Sequence, residues 1–317
     1  MTTEQPRAME RVLVAGATGF VGTAIVRALR RRGYEVTGLV RNPQRARALE
    51  EAGARLAVGD MLEPDTYRPL VADVDAVIMA AQYAVGGRLT RAALARVGYA
   101  DGVMAGTLAA ACLEHGTRLV YTSGCFNYGD HGADWITEET PFAPSPLGAA
   151  HARAVVRLRE LQRTRGLDAV VLSPGFVYGP GGLFKQSFTD QLAKGRLRVI
   201  GAGHNYWSCV HVDDLAEAFA LAVDRAAPGA EYNVVDDAPL TVRALVDGLT
   251  DALDHKRLGT IPPWLMKPLI GGPLVDSLVT SFRVRNDTVK ADLGWAPRYA
   301  SFQEGVVPTL HALHTQG

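Results

Sequence analysis

The sequence predicts an α/β fold built on a parallel sheet, and three observations support this prediction. A short apolar run, Val12 to Ala15, leads into three closely spaced glycines and then into a helix pattern from Phe20 to Arg32. Further apolar runs alternate with helix-length segments over the next 150 residues or so, which is typical of repeated βαβ units. The 317 residues are 48% hydrophobic, which is enough to bury a large core. Together these features predict a doubly wound sheet of the Rossmann type, followed by a smaller C-terminal domain.

The glycines of the segment Gly16-Ala-Thr-Gly-Phe-Val-Gly22 each have a physical role in a nucleotide-binding turn. Gly16 permits the tight turn after the strand, Gly19 lets a pyrophosphate approach the backbone, and Gly22 lets the helix pack closely on the strand. The free N–H groups of the first helical turn point toward a phosphate, and the helix dipole has the matching sign. The residues expected to bind the cofactor here are Gly16, Thr18, Gly19, Phe20, Val21 and Gly22.

The end of the second predicted strand, Glu35 to Val40, bears on the choice of cofactor. In a dinucleotide fold this strand end faces the adenosine ribose, where a carboxylate favours NAD and an arginine pairs with the 2′-phosphate of NADP. Arg41 stands at this position, and Arg45 follows one turn later. We therefore expect NADP(H) to be bound in preference to NAD(H). The alternative is that Arg41 is only a surface residue that follows a strand.

The remaining elements define the predicted domains. Strands are predicted at 55–58, 75–80, 118–122 and 167–172, and helices at 88–115 and 147–165. Because ligands bind at the carboxyl ends of parallel strands, the site is expected around segments 16–22, 41–45, 60–61, 80–83 and 122–129. Beyond residue 180 we expect helices at about 185–194, 212–224 and 241–253, with short strands near 197–200 and 231–235. The predicted boundaries are a disordered N-terminus at 1–10, a dinucleotide-binding domain at 11–180, and a mainly substrate-binding domain at 181–317, of which 197–235 partly returns to the first domain.

Composition argues against several classes of partner. The 33 Lys and Arg residues balance 33 Asp and Glu residues, so neither nucleic acid nor an anionic membrane is expected as the main partner. The three cysteines have neither metal-ligand nor disulfide spacing, and no other spacing indicates a metal site. No apolar run is long enough to span a bilayer, and no signal peptide is evident. We therefore expect a small-molecule partner and a cytoplasmic location.

These motifs resemble those of the extended short-chain dehydrogenases, the NAD-dependent epimerase/dehydratase group. The resemblance covers almost the whole chain and continues through Gly59-Asp60, Ala80-Ala81, Tyr121-Thr-Ser123, Tyr128-Gly129, Val177-Tyr-Gly-Pro180, Val210-His-Val-Asp-Asp-Leu-Ala216, Tyr232-Asn233 and Leu293-Gly-Trp295. It implies that the cofactor also contacts Asp60, Met61, Ala80, Ala81, Thr122, Ser123, Pro174, Gly175, Phe176 and Val177, with the first two beside the adenine. The resemblance further implies a homodimer built from the helices near 101–115 and 147–165.

The chain departs from that family at the residues that transfer the proton. The family uses a serine or threonine after the fifth strand and a Tyr-xxx-Lys pair one helix later. Here the serine position holds Gly124, the tyrosine position Leu147 and the lysine position His151. Neither glycine nor leucine has a side chain that can exchange a proton. We therefore expect Tyr83 to handle the proton, with Tyr128 or an ordered water as alternatives, and His151 to anchor the ribose and assist.

The positions expected to line the substrate are unusually apolar. Phe176 stands where relatives that act on nucleotide sugars often carry asparagine, and Trp207 stands where those relatives carry a pyrophosphate-binding arginine. The expected lining residues are Tyr83, Gly124, Cys125, Phe126, Leu147, Phe176, Tyr206 and Trp207. Such a pocket suits an apolar ligand. The sequence thus predicts an NADP(H)-linked oxidoreductase for a hydrophobic carbonyl or alcohol, polyketide-, terpenoid- or steroid-like. The alternatives are a redox-neutral isomerase, dehydratase or cyclase, and a non-catalytic NADP-binding sensor.

Overall fold

A parallel sheet of seven strands forms the centre of the structure, a computed structural model that describes residues 10–83 and 86–315. In chain order the strands are β1 (Arg11–Ala15), β2 (Glu35–Val40), β3 (Arg55–Val58), β4 (Ala76–Met79), β5 (Arg118–Thr122), β6 (Trp135–Ile136), β7 (Ala169–Pro174), β8 (Phe176–Tyr178), β9 (Val199–Ile200), β10 (Tyr206–Trp207), β11 (Cys209–His211), β12 (Glu231–Val234), β13 (Leu240–Thr241), β14 (Thr260–Ile261) and β15 (Arg283–Val284). The strand order in the central sheet is β12-β7-β5-β4-β1-β2-β3. From β1 the chain first adds strands on one side, β2 and β3, and then continues on the other side with β4, so the switch point lies between β1 and β4. This switch point is where a doubly wound sheet binds its ligand, so the predicted fold class is confirmed.

Helices cover both faces of this sheet. In chain order they are α1 (Phe20–Arg31), α2 (Arg47–Glu51), α3 (Arg91–His115), α4 (Ala149–Arg165), α5 (Gly182–Phe184), α6 (Asp190–Ala193), α7 (Val212–Arg225), α8 (Val242–Ala252), α9 (Pro263–Ile270), α10 (Gly272–Leu278), α11 (Asp287–Leu293) and α12 (Phe302–Thr315). A π-helical turn, Lys185–Thr189, joins α5 to α6, and short 3₁₀ turns lie at Pro43–Arg45, Pro64–Thr66, Arg68–Asp73 and Cys125–Asn127. No helix within residues 10–83 and 86–315 is long and apolar enough to cross a membrane.

Strand side chains alternate between two buried layers, as a strand requires. Val12 and Val14 of β1 pack with α1 and α7 on one face of the sheet. Leu13 and Ala15 pack with α3 and α4 on the other face. Because both faces are covered, the strands read as continuous apolar runs, and that pattern made them predictable from the sequence.

A third buried cluster lies among the short strands and the later helices. It contains Phe184, Trp207, Leu245, Phe282 and Phe302. Short two-stranded ladders surround it, pairing β8 with β11, β10 with β13, β9 with β14, and β6 with β15. Strand β12 instead pairs with β7 in the central sheet. The division into two domains stays a prediction, and the predicted disordered N-terminus lies almost wholly outside the described residues.

Candidate active site

The turn between β1 and α1 is built so tightly that side chains are excluded from it. Gly16 has a φ of +84°, and its carbonyl accepts a hydrogen bond from the Gly19 N–H at 2.9 Å. A Cβ atom on Gly16 would lie 2.5 Å from the Ala81 nitrogen, and one on Gly22 would lie 2.1 Å from the Gly16 oxygen. The start of α1 is therefore pressed against the end of β4, between the two strands that flank the switch point.

The N-terminus of α1 fits an anionic group. Gly19 provides no side-chain cap, and the first turn carries no acidic residue. A Cβ on Gly19 would meet only the Gly16 oxygen within 4 Å, so this face of the turn is open. Thr18 and Gly19 are exposed, and Phe20 and Val21 are half-buried. Free first-turn N–H groups with no acidic side chain near them suit a pyrophosphate, and binding of the cofactor at these residues stays a prediction.

The segment after β2 presents two arginines to solvent. Asn42 caps the turn Pro43–Arg45 by accepting the Gln44 N–H at 3.0 Å. Arg41 and Arg45 are exposed, and among the described residues neither has a carboxylate within 4 Å. Arg47 differs, since its guanidinium lies 2.9 Å from Glu51. Two unpaired guanidinium groups at this strand end suit a phosphate.

The chain forms a hydrogen-bonded turn directly after β3, the strand next to β2. The Asp60 carboxylate accepts the Leu62 N–H at 2.9 Å, and the Asp60 N–H donates to the Thr66 hydroxyl at 3.1 Å. Met61 is half-buried and packs on the core layer that contains α3 and α4. The structure thus fixes the backbone of both residues that the resemblance assigns to the adenine.

The loop after β5 and the start of α4 are locked together. A Cβ on Gly148, which precedes α4, would lie 2.2 Å from the Phe126 oxygen, and that oxygen also accepts the Ser145 N–H at 3.1 Å. Gly124 is extended at a φ of −179°, and a Cβ there would meet only the Pro174 oxygen, at 3.9 Å. The position that lacks the serine therefore faces open space. Leu147, at the predicted tyrosine position, is half-buried in the chain segment that leads into α4.

Two polar residues that the sequence reasoning missed hold His151 in place. The Tyr121 hydroxyl lies 2.8 Å from Nδ1 of His151 and 3.1 Å from each carboxylate oxygen of Asp101. Asp101 and Tyr121 are buried, while the His151 side chain is 17% exposed. Burial lowers the pKa of His151, and the Asp101 carboxylate only partly offsets this. Burial and the same carboxylate raise the pKa of Tyr121 well above its usual value. At neutral pH the His151 imidazole is therefore uncharged, unlike the lysine that the resemblance leads one to expect at this position.

The hydroxyl of Thr122 is buried at the end of β5 and has no hydrogen-bond partner in the described part of the chain. Its neighbour differs, because the Ser123 hydroxyl accepts the Asn127 side-chain N–H at 2.6 Å. Buried hydroxyl groups in proteins are nearly always hydrogen-bonded. The free hydroxyl of Thr122 therefore fits a polar group of a bound molecule.

The segment after β7 is held close to the backbone of a neighbouring loop. A Cβ on Gly175 would lie 2.1 Å from the Ser208 oxygen, which also accepts the Phe176 N–H at 2.8 Å. The residues expected near the nicotinamide, Pro174, Gly175, Phe176 and Val177, are thereby fixed at the carboxyl end of β7. Their register beside β11 is set by the pairing of Phe176 with Cys209.

The candidate proton donors have different surroundings. Tyr83 is half-buried beside the layer that contains α3 and α4. Tyr128 is only 2% exposed, its hydroxyl donates to Asn233 at 2.9 Å, and burial raises its pKa. Cys125 is also buried, with its Sγ 3.4 Å from the Ser173 oxygen and its pKa raised by burial. The structure encloses Tyr128 and Cys125 in the core and leaves Tyr83 partly accessible.

An aromatic cluster lies beside this site. Phe176 packs against Trp207 with ring centroids 5.1 Å apart, and Phe126 packs edge-on against Phe282 at 5.0 Å. Trp207 is 3% exposed, and its indole N–H donates to the Thr280 oxygen at 3.3 Å. It therefore forms a buried surface on which the Phe176 ring packs. Trp207, one of the residues expected to line the substrate, is thus almost fully covered, whereas Phe126 and Phe176 are half-buried. Tyr206 is half-buried near them.

Comparison with known proteins identifies relatives along nearly the whole chain. The sequence profile of the NAD dependent epimerase/dehydratase family matches residues 12–235. A "3-diazoavenalumate denitrifying reductase" from Streptomyces is 32% identical over 93% of this chain and 99% of its own. A "2-alkyl-3-oxoalkanoate reductase" from Stenotrophomonas maltophilia is 30% identical over 93% of this chain and 97% of its own. The crystal structure of a dTDP-glucose 4,6-dehydratase from Streptomyces venezuelae with bound NAD has a TM-score of 0.81 at 24% identity, covering 96% of this chain and 97% of its own.

Proposed function

Because the chain belongs to the NAD dependent epimerase/dehydratase family, we propose that it is an NADP(H)-linked oxidoreductase for an apolar carbonyl or alcohol substrate. Membership makes the protein an enzyme that depends on a nicotinamide dinucleotide. The choice of NADP, the direction of reaction and the apolar substrate are our proposal. The observation that carries the substrate class is the packing of Phe176 on the buried Trp207.

The residues that would hold the cofactor follow from the site's geometry. The open first turn of α1 would bind the pyrophosphate, and Arg41 with Arg45 would bind the 2′-phosphate. The unpartnered Thr122 hydroxyl and the accessible part of His151 would contact the nicotinamide half. When bound, the nicotinamide supplies or accepts a hydride.

The protein's own contribution to catalysis is to place polar groups around a carbonyl oxygen. Negative charge develops on that oxygen during reduction and requires a hydrogen-bond donor within about 3 Å. The side chains of Gly124 and Leu147 provide no such donor, whereas Tyr83 is a half-buried tyrosine in the segment that follows β4. We therefore assign proton donation to Tyr83.

The substrate class is supported by the aromatic residues Phe126 and Phe176 and by one of the named relatives. The rings of Phe126 and Phe176 are uncharged. Binding of an apolar ligand against them is favoured by about 25 cal/mol for each Å² of apolar surface removed from water. These two rings offer neither a positive charge nor a hydrogen-bond donor to the diphosphate of a nucleotide sugar. One relative is named a 2-alkyl-3-oxoalkanoate reductase, and a molecule of that class carries a ketone and alkyl chains together with a carboxylate. We propose an apolar molecule with a ketone or secondary alcohol as the substrate.

Binding and turnover measurements test this proposal together. Thermal unfolding is followed with NADPH present and either 2-alkyl-3-oxoalkanoates of increasing alkyl length or dTDP-glucose and UDP-glucose added. A ligand that binds only the folded protein raises Tm, so we expect shifts that grow with alkyl length and none with the sugars. NADPH consumption should occur with the same ketones. A Tm shift with a nucleotide sugar, or ketone binding without NADPH consumption, would favour the redox-neutral alternative.

The homodimer is also retained as a proposal. Tyr99 of α3 is 73% exposed and Val156 of α4 is 56% exposed, although these two helices pack side by side. Apolar side chains on a shared surface of this kind favour association with a second copy. Sedimentation equilibrium of the purified protein distinguishes a dimer from a monomer directly.

A further inference from the structure

Asp101, Tyr121 and His151 come from three separate elements and meet at the carboxyl end of β5. Asp101 lies in the middle of α3, Tyr121 is the penultimate residue of β5, and His151 lies in the first turn of α4. The Tyr121 hydroxyl stands between the other two, 3.1 Å from both Asp101 carboxylate oxygens and 2.8 Å from His151 Nδ1. The shortest contact between the carboxylate and Nδ1 is 3.8 Å. Three polar side chains thus form a buried chain inside an otherwise apolar layer.

The chemistry of the three groups fixes where the protons lie. A carboxylate can only accept hydrogen bonds, and Tyr121 has one hydroxyl proton. Tyr121 is the only hydrogen-bond donor to Asp101 among the described residues, so the proton must point toward the carboxylate. The phenol oxygen is then left to accept, and the group 2.8 Å away that can donate is the Nδ1–H of His151. The hydrogen bond at one ring nitrogen determines the tautomer of a histidine.

The other nitrogen of His151 is free. Within the described residues Nε2 has no hydrogen-bond partner, and it is not among the polar atoms that are sealed from solvent. With the proton held at Nδ1, Nε2 carries a lone pair, and the side chain as a whole keeps 17% of its surface accessible. This differs from a lysine ammonium, which can only donate.

We propose that Asp101 and Tyr121 are positioning residues that hold His151 as the neutral Nδ1–H tautomer, so that Nε2 is a hydrogen-bond and proton acceptor at the active site. The proposal rests on the proposed function only in the group that Nε2 contacts, a hydroxyl of the cofactor ribose. In proton transfer the O–H bond breaks, its electron pair stays on oxygen, and an Nε2–H bond forms. The resulting imidazolium is stabilised by the Asp101 carboxylate through Tyr121, and the reverse step returns the proton.

The tautomer is measured directly in the ligand-free protein. The full chain is labelled with ¹⁵N at histidine, and the His151 signals are assigned by their loss in His151→Asn. Long-range ¹H–¹⁵N correlation at pH 8 distinguishes a protonated ring nitrogen from an unprotonated one. We expect a protonated Nδ1 and an unprotonated Nε2 in the wild type. A proton on Nε2 in the wild type would overturn the proposal.

Two variants test the roles of the positioning residues. Tyr121→Phe removes the acceptor of the Nδ1–H, and Asp101→Asn supplies a donor that lets the Tyr121 proton turn toward Nδ1. Both should populate the Nε2–H tautomer. Tyr67→Phe is the matched control, because Tyr67 is buried in the same layer and its hydroxyl has no hydrogen bond to Asp101, Tyr121 or His151. If both variants fold and leave the His151 tautomer unchanged, the proposal is wrong. If Tyr121→Phe does not fold, Asp101→Asn alone decides.

Kinetics separate this proposal from the proposed function. Both variants should lower kcat at least about tenfold with the ketone that Tyr67→Phe turns over normally, as expected when a group that orients a catalytic histidine is removed. A wild-type Nδ1–H tautomer in a protein without ketone reduction refutes the proposed function and leaves the tautomer assignment intact. Active enzyme with the opposite tautomer refutes the assignment alone.

Discussion

The hydroxyl oxygen of Tyr121 lies 2.8 Å from Nδ1 of His151, 30 residues further along the chain. This contact explains how a histidine can occupy a lysine position without bringing a charge into the site. Burial disfavours the imidazolium, and the phenol accepts the one proton that the neutral ring carries. The site is therefore organised around a neutral, oriented ring rather than an ammonium group.

Replacing His151 by alanine should weaken both cofactor binding and turnover. Loss of one hydrogen bond costs about 1 kcal/mol, which corresponds to roughly a fivefold higher Kd for NADPH. Loss of a group that assists proton transfer should lower kcat by about 10²-fold or more. Fluorescence titration and steady-state kinetics measure the two effects. His204→Ala, at an exposed loop position, is the control. If both the Kd for NADPH and kcat are unchanged in His151→Ala, His151 is not part of the active site.

Arg41 should determine the preference for NADPH. A charge-assisted contact to the 2′-phosphate is worth about 1.5–3 kcal/mol, so Arg41→Ala should raise the Kd for NADPH by roughly 10- to 150-fold. The Kd for NADH, which lacks this phosphate, should not change. Arg47→Ala is the matched control, because the Arg47 guanidinium already pairs with Glu51. Equal wild-type affinities for the two nucleotides would refute the NADP assignment.

Tyr83 should supply the proton in ketone reduction. Tyr83→Phe removes only the hydroxyl, and loss of a positioned general acid usually lowers the rate by roughly 10²–10⁴-fold. Nucleotide affinity should stay at the wild-type value, because Tyr83 is assigned to the substrate side of the site. Tyr99→Phe is the control, since Tyr99 is 73% exposed on α3. Full kcat in Tyr83→Phe would show that another group, such as ordered water, donates the proton.

Asp236 should make the protein less stable as the pH rises. It is 2% exposed, and burial raises its pKa to about 8. An unfolded aspartate ionises near pH 4, so the folded state binds the proton more tightly over the interval between these values. The contribution of Asp236 to the free energy of unfolding is therefore fully present below about pH 4. It falls by up to about 1.4 kcal/mol per pH unit as the pH rises to about 8.

Asp236→Asn removes this titration while keeping the shape of the side chain. Its free energy of unfolding, relative to wild type, should be higher at pH 8 than at pH 5. Denaturant unfolding at the two pH values measures the difference. Asp237→Asn is the control, because Asp237 pairs with Lys290 and Asn286 and is partly exposed. A relative stability that does not increase between pH 5 and pH 8 contradicts the raised pKa.

Local sequence patterns were sufficient to predict the central sheet. The strands Glu35–Val40, Arg55–Val58 and Arg118–Thr122 have the predicted bounds, and α1 ends one residue earlier than expected. Apolar runs bounded by glycine and polar residues identify buried parallel strands well. The predicted helix from Leu147 to Arg165 begins later, at Ala149, because Gly148 packs directly on the Phe126 backbone.

The polar part of the site was harder to predict because it depends on contacts between distant elements. Asp101 lies within an alanine-rich helix and Tyr121 within an apolar strand, so each looked like an isolated polar residue in a core segment. Buried polar groups require partners, and that requirement was the available signal. This requirement predicts that Asp101 and Tyr121 each have a hydrogen-bond partner. Only the fold shows that they contact each other and that His151 is the third member of the cluster.

Transfer of deuterium from NADPH labelled at C4 of the nicotinamide tests whether the protein reduces a ketone by hydride transfer. Wild-type enzyme is incubated with each C4 epimer of the labelled cofactor and the 2-alkyl-3-oxoalkanoate that gives the largest Tm shift, and the product is analysed by mass spectrometry and NMR. We expect an alcohol with one deuterium on the former carbonyl carbon, formed from one epimer only. A product that carries no deuterium from either epimer, or a substrate that is isomerised or dehydrated without loss of NADPH, would contradict this expectation.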